Sequence, residues 1–190
     1  RLEGQEGDDT LFGGLGADTL EGGAGEDTLE GNLGADTLRG DAGEDWLSGG
    51  DDADQLFGGA DADVLLGEDG GDELWGGEGE DLLFGGGGND MLRGGDHDDV
   101  LEGGPNNDTL FGGLGADLLR GGADSDTLFG DAGDDTLFAD LDATGGPALG
   151  NQEFVDGGAG EDLIYGTPND DVLGGGLGDD VIHALAGNDV

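Results

Sequence analysis

Residues 4–39 read GQEGDDTLF GGLGADTLE GGAGEDTLE GNLGADTLR, four segments of nine residues each. The same frame continues without a slip through fifteen units, from Gly4 to Phe138. In all fifteen, position 1 is glycine, position 6 is aspartate and position 8 is leucine. A fixed short period marks a repeat architecture, in which each unit is held by its neighbours rather than by a private core. Positions 7 to 9 have the form x-Leu-x. Side chains alternate faces along an extended strand, so the leucine points inward and positions 7 and 9 point outward. Three residues make a strand of about 10 Å. No 3.6-residue stripe is present, and glycine every few residues opposes helix.

Positions 1 to 6 have the form Gly-Gly-x-Gly-x-Asp, a tight turn that uses positive φ. Where position 4 is not glycine it is Asp52, Asp61, His97, Asn106, Asp124 or, later, Asn169. These are the residue types that best tolerate the left-handed region. His97 therefore reads as a turn residue rather than as a ligand or base. Turn, strand, turn, strand closes one coil in 18 residues. Stacked coils give an all-β solenoid with two parallel sheets and a leucine ladder between them.

Composition says that such a ladder needs help. The chain has 190 residues, 48 of them acidic against four arginines (Arg1, Arg39, Arg93, Arg120), for a formal charge of -44. Leu, Ile, Val and Phe together number 43, near the range of disordered chains. One leucine per nine ordered residues is a thin core against the entropy of ordering them. The charge argues against nucleic-acid partners, which are bound through Lys and Arg, and against anionic membranes. No apolar run approaches the ~18 residues of a spanning helix, and no N-terminal basic-plus-apolar signal is visible. Cysteine is absent, which removes disulfides and thiolate chemistry. Glycine is abundant, with 49 residues, but does not recur every third position, so collagen is excluded.

The frame fails over residues 139–156, ADLDATGGPALGNQEFVD. It resumes with GGAGEDLIY, GTPNDDVLG and GGLGDDVIH, followed by a partial unit, ALAGNDV. Three segments are therefore expected: a regular array over 1–138, an irregular insertion or loop over 139–156, and continuing repeats over 157–190 truncated at the C-terminus. Phe154-Val155-Asp156 is a possible strand leading into Gly157, with 139–153 as an excursion or an irregular coil. Both ends fall inside the array, so the chain reads as a fragment linked to further domains.

Stacking sets position 6 of each unit beside position 6 of the next unit but one. Asp18, Asp36, Asp54, Asp72, Asp90, Asp108 and Asp126 then form one carboxylate column. Asp9, Asp27, Asp45, Asp63, Asp81, Asp99, Asp117 and Asp135 form the other, and Asp162, Asp171, Asp180 and Asp189 are their counterparts in the later units. Such columns repel themselves unless a hard cation lies between them. Calcium accepts 6–8 oxygen ligands, whereas magnesium demands strict octahedral geometry and dehydrates reluctantly. Zinc would want the His or Cys that are nearly missing.

The pattern G-G-x-G-x-D-x-L-x, over about 170 of the 190 residues, resembles the RTX (repeats-in-toxin, haemolysin-type) calcium-binding β-roll. The resemblance implies a right-handed parallel β-roll, 18 residues per coil, with Ca²⁺ in the turns. It also implies a ligand set. One turn offers the carbonyls of positions 2 and 4 with its aspartate; the turn two units on offers the carbonyls of positions 1 and 3 with its own. Carried over, Gly14, Gly16 and Asp18 face Gly31, Leu33 and Asp36. By the same rule the carbonyl donors include, at positions 2 and 4, Gly23, Gly25, Gly34, Gly43, Gly77, Gly79, Gly86, Gly88, Gly113, Gly115, Gly158 and Gly160. At positions 1 and 3 they include Gly40, Ala42, Gly94, Gly103, Gly121, Gly130, Gly175 and Leu177. Roughly 13–16 ions are implied, and about fifteen of them would cancel ~30 negative charges.

Outward position 9 gives one column running Glu21, Arg39, Phe57, Trp75, Arg93, Phe111 and Phe129, and another running Phe12, Glu30, Ser48, Leu66, Phe84, Glu102, Arg120 and Phe138. Vertical neighbours lie about 4.8 Å apart. Glu21–Arg39 and Glu102–Arg120 pairs, a Phe57–Trp75 stack and a Trp75–Arg93 cation–π contact are expected. The aromatic stretch also offers a face for a partner or a further domain. Outward threonines (Thr10, Thr19, Thr28, Thr37) are split over two sheets and interrupted at Trp46, too broken for an ice-binding array. No catalytic constellation is visible: His97 and His183 stand far apart, and Ser48 and Ser125 lie in no nucleophile motif. The expected role is structural: a calcium-binding module of a secreted or cell-surface bacterial protein, exported by type I secretion and folding on meeting extracellular Ca²⁺. The alternatives are the accessory part of a secreted protease, lipase or polysaccharide-modifying enzyme, and a spacer in an adhesin or surface layer.

Overall fold

The nine-residue period becomes a coil stack in the computed structural model, which describes residues 1–140 and 152–190. Two ten-stranded parallel sheets form. One starts with Leu2–Glu6, Thr19–Ala24 and Thr37–Ala42 and ends with Phe154–Ala159 and Val172–Leu177; the other takes the alternate strands, from Thr10–Leu15 to Val181–His183. Consecutive strands belong to opposite sheets, and each pairs with the strand one coil on. Leu20 sits opposite Leu38, Leu38 opposite Leu56, and Leu11 opposite Leu29. The chain is an all-β parallel solenoid of 18-residue coils, with no helix among the described residues.

Strands are longer than the three residues expected from x-Leu-x. Thr19–Ala24 has six, running from position 7 of one unit to position 3 of the next. Ladder pairing skips position 1 and resumes at positions 2 and 3, as in Gln5 with Gly23 and Glu6 with Ala24. The turn's first residues thus keep the inter-coil spacing, and less backbone is left without partners.

The interior is one leucine column per sheet. Leu20 to Leu137 at position 8 are fully buried, with Leu11 at 6% exposure, and Val155 and Ile164 continue the ladder. Leu173 is only partly buried, and Ile182 is 41% exposed.

Phe154 lies opposite Thr127 and Leu163 opposite Thr136, so both sheets continue without a gap beyond the irregular segment. The offset there is 27 residues, nine more than a coil. The extra length falls between Asp140 and Gln152. Most of the excursion expected over 139–153 lies outside the described residues.

On the outer face Phe57 stacks on Trp75, with centroids 4.5 Å apart, as expected. The arginines choose other partners. Arg39 lies over the Phe57 ring at 4.2 Å, while Glu21 takes Arg1 at 2.8 Å. Arg93 covers Phe111 at 4.2 Å rather than Trp75. No Glu102–Arg120 ion pair forms among the described residues. A guanidinium over an exposed ring keeps its edge hydrated, whereas an exposed ion pair gains little. Phe111 stacks on Phe129, and Phe138, Tyr165 and His183 form a second stack.

Candidate metal centre

Most turns reverse through residues in the left-handed region at positions 2 and 4. At position 4, Asp52, Asp61, His97, Asn106 and Asp124 have φ between 77° and 86°, the expected conformation. His97 is a turn residue: its exposed ring meets the carbonyl of Asp96 at 2.8 Å. Asn169 departs from the set. It follows Pro168, and its amide donates to Thr167 Oγ1 at 3.2 Å. Position 2 also turns left-handed, at Gln5, Asn32, Asp41, Glu68 and Asp131. The sequence hides this, because Gln and Glu are not typical left-handed residues.

Identical turns stacked in register bring the predicted aspartates together. The amide of Asp18 donates to Asp36 Oδ1 at 2.6 Å, that of Asp72 to Asp90 Oδ1 at 2.8 Å, and that of Asp90 to Asp108 Oδ1 at 2.8 Å. The second column repeats this from Asp9–Asp27 to Asp117–Asp135 and continues through Asp162 to Asp180. From Asp27 to Asp135 these aspartates are 1–3% exposed. The first and last members, Asp9, Asp18, Asp180 and Asp189, are less buried.

Beyond the first member of each column, one oxygen of the carboxylate is thereby used. The other, Oδ2 of Asp27, Asp36, Asp45, Asp54, Asp63, Asp72, Asp81, Asp90, Asp99, Asp108, Asp117, Asp135 and Asp162, is buried with no hydrogen-bond partner. Carbonyl oxygens border the same space beside the position-1 glycines. A methyl group built on Gly85 would lie 2.5 Å from Asp90 Oδ2 and 2.7 Å from the Gly103 carbonyl oxygen. The same space beside Gly76 is bordered by the Gly94 carbonyl, and that beside Gly157 by the Gly175 carbonyl, each at 2.7 Å. A side chain at position 1 would fill this space, which explains the glycine there. Leaving a buried polar atom unpaired costs about 1–3 kcal/mol, more when it is charged. Burial pushes the carboxyls of Asp63 and Asp99 up to about 8, and those of Asp54, Asp108 and Asp135 up to about 7, against the amide hydrogen bond that lowers each and with neighbouring carboxylates raising them further.

Carboxylate oxygens without donors, repeated along a column, fit a hard cation and fit calcium best. Position-3 carbonyls remain able to contribute. Leu33 O accepts from the Gly16 amide at 2.7 Å, Ala42 O from Gly25 at 2.9 Å and Leu177 O from Gly160 at 2.9 Å, and each keeps a second lone pair. Gly14, Gly16, Gly23 and Gly25 lie in the left-handed turns themselves. Among the described residues no three carboxylate or imidazole side chains converge as a metal site.

Two residues escaped the sequence reading. Thr167 caps Asp171: its amide donates to Oδ2 at 2.6 Å and its hydroxyl lies 2.9 Å from the same oxygen. Glu153 stands in the carboxylate column beside Asp126. Reading ALGNQEFVD backwards in nines from Gly157 would have found it.

Fold and site together define a calcium-binding parallel β-roll, a structural rather than catalytic arrangement. The RTX calcium-binding nonapeptide repeat, taken four copies at a time, matches residues 1–29, 30–65, 57–92, 66–101, 75–110, 93–128, 111–143 and 153–190. The chain belongs to that family. No curated protein matches it.

Proposed function

We propose that this chain is a calcium-triggered folding module of an exported bacterial protein. The supporting observation is the run of buried, donor-free Oδ2 atoms that border, together with a carbonyl oxygen, the space beside a position-1 glycine, as Asp90 and Gly103 do beside Gly85. Without cations the columns oppose the fold, and the charge of -44 keeps the chain expanded. Cytosolic calcium is too dilute to fill the turns. Outside the cell calcium is abundant, and its binding energy becomes folding energy. Such a chain leaves through a secretion channel unfolded and becomes rigid only after export, as the type I route requires. Placed beside an enzyme or within an adhesin, the same roll serves as a folding aid or a spacer.

Circular dichroism with calcium and with EDTA tests the reading. Cooperative conversion from a coil-like to a β spectrum as calcium rises is expected. A β spectrum that persists in EDTA at neutral pH contradicts it.

A further inference from the structure

We propose that the turn over residues 166–171 is a metal-free joint: Thr167 closes it, and no calcium lies between it and the turn one coil on, which ends at Asp189. This rests on the reading of the columns as calcium sites and marks a place where that reading stops applying.

Residues 103–108 give the comparison, because GGPNND and GTPNDD share proline at position 3 and asparagine at position 4. They differ at position 2, Gly104 against Thr167, and at position 5, Asn107 against Asp170. Gly104 has φ 114° and Asn106 has φ 86°, whereas neither Thr167 nor Asn169 has a positive φ. A β-branched side chain resists the left-handed region, so threonine redirects the turn. The strand before it, Leu163–Tyr165, has three residues, and its pairing with the next coil ends at Tyr165 opposite His183. Val100–Pro105 instead runs on through positions 2 and 3, with Gly104 opposite Gly122 and Pro105 opposite Ala123.

The redirected turn fills the place a cation would take. Asp108 Oδ2 is buried with no donor. Asp171 Oδ2 accepts from the Thr167 amide at 2.6 Å and lies 2.9 Å from its hydroxyl, and both residues are 1% exposed. A methyl group built on Gly103 would lie beside Asp108 Oδ2 and 2.6 Å from the Gly121 carbonyl oxygen. One built on Gly166 would meet Leu173 Cδ1 at 2.8 Å, Asp171 Oδ2 at 3.0 Å and Leu173 Cδ2 at 3.5 Å, with no carbonyl oxygen as near. The turn one coil on carries Ala184, not glycine, at position 1. An oxygen that already holds two donors, beside leucine methyls, offers calcium few of the 6–8 oxygens it takes. Asp189 Oδ1 still accepts from the Asp171 amide, at 3.1 Å. Hydrogen bonds therefore join these two turns without a metal between them.

The test uses the whole chain and calcium itself. Bound ions are counted by equilibrium dialysis and elemental analysis, and amide hydrogen exchange is followed at a calcium level that keeps residues 10–138 protected. Asp189→Asn keeps an acceptor for the Asp171 amide and removes the charge. It is expected to bind as many ions as wild type, whereas Asp108→Asn binds at least one fewer. Thr167→Val is expected to keep the wild-type count while the amides of Asp171 and Val190 exchange faster, a loss that more calcium does not restore. An ion lost in Asp189→Asn overturns the proposal, as does exchange in Thr167→Val that is unchanged or that more calcium returns to normal. If Asp108→Asn also loses no ion, the reading of the columns fails and the proposal with it, a result distinct from an ion lost at Asp189.

Discussion

The coils around Asp90 and those around Asp171 are built on the same nine-residue plan and are held differently. Around Asp90 the leucines above and below are fully buried, and Oδ2 has no donor. Around Asp171 the Thr167 amide and hydroxyl take that oxygen, and the ladder residue Leu173 is only partly buried. On the proposed reading the first turn is complete only with a cation. The second is closed in part by protein hydrogen bonds. On the same reading, the hydroxyl at position 2 satisfies an oxygen that elsewhere is left to the metal, and dependence on calcium is expected to vary along the roll.

The largest expected difference between the two regions follows from removing the carboxylate. Asp90→Ala removes a member shared by the sites with Asp72 and Asp108. It should raise the calcium midpoint of folding clearly, whereas Asp171→Ala should move it less. Equal midpoints in a calcium titration of the two variants would erase the distinction.

A smaller contrast is expected in the core. Leu101→Ala empties a fully buried site and should cost about 2–5 kcal/mol in saturating calcium. Leu173→Ala, at a partly buried site, should cost less, as measured by chemical denaturation.

The smallest effect concerns protons in calcium-free solution. Carboxyls such as Asp45 (about 6), Asp54 (about 7) and Asp99 (about 8) are raised above 3.8 by burial. The metal-free roll binds protons that the unfolded chain releases. Its stability is therefore greatest below the ordinary carboxylate range and is lost as pH rises through about 6 to 8. Far-UV spectra in EDTA should show β structure growing as the solution is acidified. In calcium the trend reverses, since protons compete with the ion for Oδ2.

Much of this was legible in the sequence because a solenoid writes its geometry as a period. The invariant glycine, aspartate and leucine placed the turn, the carboxylate column and the ladder, and the register of Leu20 on Leu38 follows from counting. Strand length was not legible, because a turn glycine that still pairs with the next coil looks like any other turn glycine. Nor was the choice of Arg39 for Phe57 over Glu21, since spacing fixes neighbours and not side-chain direction. Glu153 was hidden by a change of both residue type and frame, and Thr167 by the resemblance of its unit to a regular one.

Anomalous diffraction from a crystal grown in calcium tests the central claim most directly. The account predicts peaks between adjacent coils in both columns, beside Asp90 Oδ2 and the Gly103 carbonyl and at the equivalent turns. An intact roll with no anomalous density in those turns would contradict it.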